Sequence, residues 1–188
     1  MPLAKMQPWF PITTERLLLR EYTPADEADV HEYACDPLVS RYDSWGPNTE
    51  QETHRAIQRW LLLQQMWPRD IVQLAAELRE TGKAIGSVRL WTISEDKRTA
   101  EIGYTFNRRY WNKGYATEAA SALLIAAFRD LDMHRVVANC DTRNTASWRV
   151  MERIGMRREG CFLRERVQKG EWRDTYSYAI LADEWRKL

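Results

Sequence analysis

The residues best suited to chemistry lie in a basic turn at positions 107–116 (NRRYWNKGYA). None of them is proline, so each carries a backbone N–H, and Asn112 and Gly114 are residue types that easily accept positive φ. A turn of this kind at the start of a helix directs several N–H groups and the positive end of the helix dipole at one point. Arg109 and Lys113 add mobile positive charge beside it. The turn therefore predicts an anion site that suits phosphate.

The flanking residues predict a strand before this turn and a helix after it. Polar and apolar residues alternate over positions 101–107, which is the period of a strand. From Ala116 the sequence is rich in Ala, Leu, Ile and Glu without proline, which favours a helix. Two common phosphate motifs do not fit: Lys113 precedes Gly114 with no glycine five residues before it, and no G-x-G-x-x-G is present.

Residues 111–116 (WNKGYA) resemble the pyrophosphate loop of the GNAT N-acetyltransferases, whose usual signature is Q/R-x-x-G-x-G/A. The string WNKGYATEA is most similar to the ribosomal-protein N-acetyltransferase branch (the RimJ/RimL type), in which Trp commonly stands first. Asn112 departs from the glycine that is usual there. Residues 144–156 (NTASWRVMERIGM) resemble a second segment of the family, N-x-x-[AS]-x-x-[LV]-x-x-x-x-G-[FM], at the expected distance. The likeness extends loosely over residues 12–182.

The resemblance implies an α+β protein with the GNAT fold. Its central sheet would be mixed and mostly antiparallel, with one parallel pair splayed for CoA and with helices on both faces. Acetyl-CoA would be the cosubstrate, its pantetheine arm entering that gap and pairing with the main chain of the strand before the basic turn. The implied coenzyme-binding residues are Tyr104, Thr105, Phe106, Arg109, Trp111, Asn112, Lys113, Gly114, Tyr115, Ala116 and Asn144.

Acetyl transfer to an amine requires a neutral amine, a stabilised oxyanion and a proton for the departing thiolate. An α-amino group has a pKa near ~8, so roughly a tenth is neutral at pH 7 and a modest base suffices. Glu101 is the candidate base, and a cross-strand charge partner is the alternative. Ser147 matches the serine of the RimL-like branch as hydrogen-bond donor to the coenzyme sulfur, or it only caps or packs its helix. Met151 stands where many members place a tyrosine.

The same strand contains Gly103, and the resemblance implies a β-bulge near it that aims an N–H at the acetyl carbonyl. The alternative is a glycine that accommodates a large neighbour. On the acceptor side, Tyr42, Asp43 and Trp45 lie in a turn-rich loop and are the predicted substrate-binding residues. An acidic side chain flanked by aromatics suits an incoming ammonium group. Alternatively both aromatic side chains pack inward against the core, an alternative that fits Tyr42 better than Trp45.

Composition limits the other classes of function. The 188 residues suffice for one domain, with 44% hydrophobic and 29% charged residues as in soluble globular proteins. The net charge of +1 gives no global attraction to nucleic acid or anionic membranes. No long apolar run or signal-peptide h-region is present, so we expect a cytoplasmic protein without membrane partners. The three cysteines and three histidines fit neither a disulfide framework nor a metal site.

The predicted element order is β, α, α, β, β, β, α, β, α, β, β in a single domain over residues 1–188, with residues 1–14 as an irregular arm. The leading hypothesis is transfer of acetyl from acetyl-CoA to a primary amine by direct attack on the thioester. The acceptor would be a protein N-terminal amine, as the resemblance suggests, or a small amine or drug. A non-catalytic acyl-CoA-binding module, favoured by Met151, and an unrelated nucleotide-phosphate binder are the alternatives. A homodimer is left open.

Overall fold

The computed structural model describes residues 10–66 and 69–187. Within these residues, eight strands form one sheet in the order β1-β2-β3-β4-β5-β6-β8-β7. The strands are β1 (Ile12–Thr13), β2 (Leu17–Arg20), β3 (Ile71–Leu78), β4 (Lys83–Thr92), β5 (Thr99–Phe106), β6 (Arg135–Asp141), β7 (Arg157–Gln168) and β8 (Glu171–Leu181). The helices are α1 (Glu27–Ala34), α2 (Glu50–Gln65), α3 (Tyr115–Arg129), α4 (Thr145–Arg153) and α5 (Ala182–Trp185).

The sheet is antiparallel except between β5 and β6, which run parallel. Their pairing stops after Glu101 and Val137, whereas β6 stays paired with β8 as far as Asp141. The two parallel strands therefore diverge and leave a gap in the middle of the sheet. The predicted mixed sheet with one splayed parallel pair is confirmed.

Helices cover both faces of the sheet, as predicted. On one face, the alanine- and leucine-rich α3 packs against Ala100, Ile102 and Phe106 of β5 in the larger apolar core. On the other face, α1 and α2 enclose a smaller core that includes Tyr33 and Ile57. Burying one such large side chain contributes about 1.5–3 kcal/mol, so these faces hold the helices in place.

The predicted order of elements matches the structure, with two additions. Ile12–Thr13 forms β1 against β2 although these residues were predicted to belong to an irregular arm, and α5 follows β8. The arm prediction is wrong there because Ile12 packs against the larger core, and this burial of apolar surface stabilises an ordered edge strand. Residues 1–9 of the predicted arm lie outside the described residues.

Candidate active site

The basic turn has the predicted backbone shape. Asn112 and Gly114 have φ of 60° and 82°, in the left-handed region, and Gly114 is the N-cap of α3. Among the described residues no side chain caps this end of the helix, so its first-turn N–H groups are left for a ligand. Trp111, Tyr115 and Ala116 line the adjoining cleft together with these two residues. This main-chain arrangement has the shape that the predicted anion site requires.

Arg16, in the segment between β1 and β2, contacts this turn and stabilises it. Its guanidinium donates to the Lys113 carbonyl at 2.9 Å and to Glu118 of α3 at 2.7 Å. The same group lies 4.3 Å from the centroid of the Tyr115 ring. Sequence reasoning missed Arg16 because the contact joins residues far apart in the chain, and no local pattern signals it.

The arginines of the turn face away from the cleft. Arg108 pairs with Asp36 at 2.7 Å, and Arg109 pairs with Glu32 of α1 at 2.8 Å. Arg109 does not line the cleft, which argues against its predicted role as a coenzyme ligand. Lys113 has no ion pair within residues 10–66 and 69–187, and its ammonium is 5.4 Å from the centroid of the Tyr110 ring.

The main chain of β5 turns alternately toward β4 and toward the gap. Asn107 donates its N–H to a β4 carbonyl, so Thr105 and Gly103 also face β4, and Tyr104 faces the gap with its N–H and C=O. The Phe106 carbonyl accepts the Trp111 indole N–H at 2.7 Å, and the Phe106 side chain is buried in the core. Tyr104 and Phe106 both turn away from β4, but the Phe106 carbonyl is already bonded to Trp111, so Tyr104 offers both of its main-chain groups to the pantetheine arm.

The predicted bulge at Gly103 is wrong. The β4–β5 register runs without interruption through the pair Arg89 and Gly103. A Cβ on Gly103 would lie 3.5 Å from the Trp91 ring, so the glycine fits beside a large neighbour, which was the alternative. Its N–H faces β4 and is not directed at the gap.

Glu101 and Ser147 lie on opposite sides of the gap. Glu101 alternates with Ile102 of the larger core, so it projects to the face of α1 and α2. Its carboxylate accepts from Asn139 at 3.0 Å, and burial raises its pKa. The residues directly opposite it are Trp91 and Val137, which excludes a directly cross-strand charge pair. A carboxylate with raised pKa is a better base at neutral pH.

Ser147 lies in the first turn of α4, beside the hydroxyl of Tyr104. That hydroxyl donates to the Ser147 carbonyl at 2.8 Å and lies 3.3 Å from Ser147 Oγ. Asn144 caps α4 by accepting the Ser147 N–H at 3.2 Å, so its side-chain oxygen is engaged in the helix cap. Met151 is buried in the core, and burial raises the pKa of the Cys140 thiol to about 11, so neither serves as acid or nucleophile at pH 7.

The predicted acceptor residues line one end of a cleft of about 1070 Å³ that also contains Glu101. Trp45 packs against the smaller core, while the Tyr42 ring has Arg41 and Arg143 at 5.2 and 5.9 Å from its centroid. The inward-facing aromatic is therefore Trp45 and not Tyr42, which corrects the expectation. Burial raises the pKa of Asp43.

Arginines that sequence reasoning did not single out share this end of the cleft. They come from α2, β4 and β7, and they are Arg55, Arg59, Arg89 and Arg166. The only local signal was the four-residue spacing of Arg55 and Arg59, which places both on one face of a helix. Across residues 10–66 and 69–187, no cluster of His, Cys, Asp or Glu could hold a metal ion, and no helix is long and apolar enough to cross a membrane.

Known proteins are similar to this chain in sequence and in fold. Residues 16–157 match the family described as Acetyltransferase (GNAT) domain. The uncharacterized N-acetyltransferase YnaD of Bacillus subtilis (strain 168) is 39% identical over 175 residues, covering 93% of this chain and 98% of YnaD. The crystal structure of a GNAT-family acetyltransferase from Bacillus anthracis has a TM-score of 0.82 at 38% identity, covering 92% of this chain and 98% of that one.

A more distant structure extends the fold comparison to the ribosomal-protein branch. RimL, a ribosomal L7/L12 alpha-N-protein acetyltransferase solved in complex with coenzyme A, has a TM-score of 0.80 at 21% identity, covering 93% of this chain and 98% of RimL. The sequence match spans most of the chain, and the splayed parallel strands and pyrophosphate-type turn accompany it. The chain is an N-acetyltransferase of the GNAT family.

Proposed function

We propose that the protein transfers acetyl from acetyl-CoA to a primary amine by direct attack on the thioester. The observation that carries this proposal is the gap beyond Glu101, which joins the two faces of the sheet and opens beside the anion-binding turn. The turn at residues 111–116 suits the pyrophosphate, and the free main chain of Tyr104 suits the pantetheine amides. The thioester then lies between Glu101 on the acceptor face and Ser147 on the coenzyme face.

The chemistry follows from these positions. Glu101 takes a proton from the ammonium group, directly or through one water. The neutral nitrogen attacks the thioester carbonyl carbon, the C–N bond forms, and the C–S bond breaks as the nitrogen releases its second proton, which passes through water to the departing thiolate. Ser147 Oγ donates a hydrogen bond to that thiolate, and the Tyr104 hydroxyl, whose proton goes to the Ser147 carbonyl, lies 3.3 Å from Oγ.

We favour a protein or peptide N-terminal amine as the acceptor. RimL acts on such an amine, and an α-amino group, with a pKa of about 8, is more easily deprotonated by a carboxylate than a lysine amine with a pKa of about 10.4. The open cleft admits a chain end. The raised pKa of Glu101 beside the gap favours catalysis over a module that only binds acyl-CoA.

The test is thiol release from acetyl-CoA with a panel of amines, preceded by thermal shift with acetyl-CoA, CoA and ATP. We expect the two CoA compounds to raise the Tm and ATP to leave it unchanged, and we expect thiol release to depend on the amine. Stabilisation by acetyl-CoA without release by any amine would identify a binding module. Stabilisation by ATP would favour the nucleotide-phosphate alternative.

A further inference from the structure

Arg89 of β4 contributes a positive charge to the acceptor end of the cleft. Arg89 alternates with Val88 and Leu90, which are buried in the core beneath α3, so its side chain projects to the opposite, acceptor face. Its guanidinium lies 4.0 Å from the centroid of the Trp91 ring. In the part of the chain that the structure describes, Arg89 has no ion pair, and it lines the cleft.

A second cationic wall comes from α2. Arg55 and Arg59 are exposed, lie one turn apart and line the same cleft. Neither has an ion pair within residues 10–66 and 69–187. Glu52 accepts the Thr49 N–H and hydroxyl at 2.8 and 2.9 Å in the capping box, and its charge acts on Arg55 through space without an ion pair.

Arg59 and Arg89 also repel one another. Burial is the main cause that lowers the pKa of Arg89, the nearby charges of Glu101 and Asp43 raise it, and the like charge of Arg59, the smallest of these causes, lowers it. Neither Glu101 nor Asp43 forms an ion pair with Arg89. Arg89 therefore has charges of both signs nearby but no direct carboxylate partner among the described residues, which leaves its donors for a ligand.

Groups of the opposite character share this end of the cleft. Asp43 and Glu101 are carboxylates that can face an ammonium group. Gln168 is buried and lines the cleft, and its Oε1 has no hydrogen-bond partner among the described residues. The cleft therefore offers acceptors for a cation and donors for an anion together.

We propose that the acceptor is a zwitterion, a primary amine that carries a carboxylate close to the reactive nitrogen. Arg59 and Arg89 bind the carboxylate, with Arg55 nearer the solvent, while the ammonium group lies at Asp43 and Glu101. Guanidinium groups recognise carboxylates through paired, charge-assisted hydrogen bonds, which suits a free amino acid or an acidic peptide N-terminus. This inference rests on the proposed acetyl transfer and names its substrate class.

The experiment measures thiol release at saturating acetyl-CoA with two matched pairs of amines. One pair is a free amino acid and its carboxamide, and the other is Ala-Asp-Gly-amide and Ala-Asn-Gly-amide. We expect the anionic member of at least one pair to have a kcat/KM about tenfold higher. The pair that discriminates identifies the source of the carboxylate.

Variants connect this preference to the arginines. Arg59→Gln and Arg89→Gln should each abolish most of the tenfold preference, measured as the ratio of kcat/KM within a pair so that any change common to both amines cancels, while acetyl-CoA keeps its KM. Arg59→Lys should restore part of it, and Arg186→Gln, an exposed arginine near the end of the chain, should change nothing. Equal turnover within both wild-type pairs, or faster turnover of a polyamine, would overturn the inference and leave the acetyl transfer standing. Binding of acetyl-CoA without release by any amine would overturn both.

Discussion

The two halves of the cleft differ in how the chain builds them. In the coenzyme half, consecutive residues 111–116 form a turn whose main-chain N–H groups supply the binding site. In the acceptor half, a loop, a helix and two strands contribute Asp43, Arg59, Arg89 and Glu101, and their side chains form the site. A main-chain site tolerates changes of side chain, whereas a side-chain site changes with each substitution. We infer that the first half carries the shared chemistry of the family and that the second selects the acceptor.

The largest effect should come from Glu101→Gln. The amide keeps the shape and the contact with Asn139 but cannot take a proton, so we expect kcat to fall about 100-fold with acetyl-CoA binding unchanged. In the wild type, activity needs the ionised carboxylate, so kcat/KM is lost as the pH falls through the pKa of Glu101, which burial raises from its ordinary value. Initial rates of thiol release across a pH series measure both the kcat of the variant and the pH dependence of the wild type. Glu95→Gln, at an exposed position in the turn between β4 and β5, is the control, and a similar loss there would remove the special role of Glu101.

The next effect should fall on the coenzyme half. The substitution Gly114→Val forces valine into a left-handed backbone conformation, at a cost of about 2 kcal/mol, or distorts the turn. We therefore expect calorimetry to show acetyl-CoA binding about thirtyfold more weakly. Lys113→Ala should weaken it only about threefold, because it removes one exposed charge. The matched control is Gly82→Val, at φ 70° in the β3–β4 turn with open space around it. Equal affinities for the Gly114 and Lys113 variants would contradict a main-chain site.

Ser147→Ala tests the coenzyme face of the gap. Its main-chain N–H, which Asn144 caps, is retained, so the helix stays intact and the loss is confined to the hydroxyl. We expect kcat to fall about tenfold while acetyl-CoA affinity stays nearly constant. If kcat is unchanged while chemistry limits the rate, the serine is only a packing residue.

The smallest effect should belong to Asp43→Asn. Removing this charge should raise the KM of the amine about threefold, with little change in the KM of acetyl-CoA. Asp36→Asn is the control from the same loop, because Asp36 pairs with Arg108 outside the cleft. Should both KM values stay constant while the Tm drops, the loop would be structural and the acceptor would bind elsewhere.

The same comparison explains what could be predicted from the sequence. The turn with Asn112 and Gly114 was predictable because residue type and order determine its backbone shape locally. The parallel pair followed from the element order and the family resemblance, but its end after Glu101 depends on packing across the sheet. Arg16 and Arg89 were missed because their roles arise from contacts between distant segments. The prediction of a bulge at Gly103 was wrong because a glycine in this strand can also make room for the Trp91 ring, and the β4–β5 pairing then continues without interruption.

The central claim is that both substrates meet across the gap and that the acetyl group passes directly from sulfur to nitrogen. Initial velocities measured while acetyl-CoA and the amine are both varied test it, together with the mass of the protein after incubation with acetyl-CoA alone. The account predicts intersecting reciprocal plots and an unmodified protein, in keeping with a Cys140 thiol whose pKa burial raises to about 11. Parallel plots with an acetylated protein would contradict it.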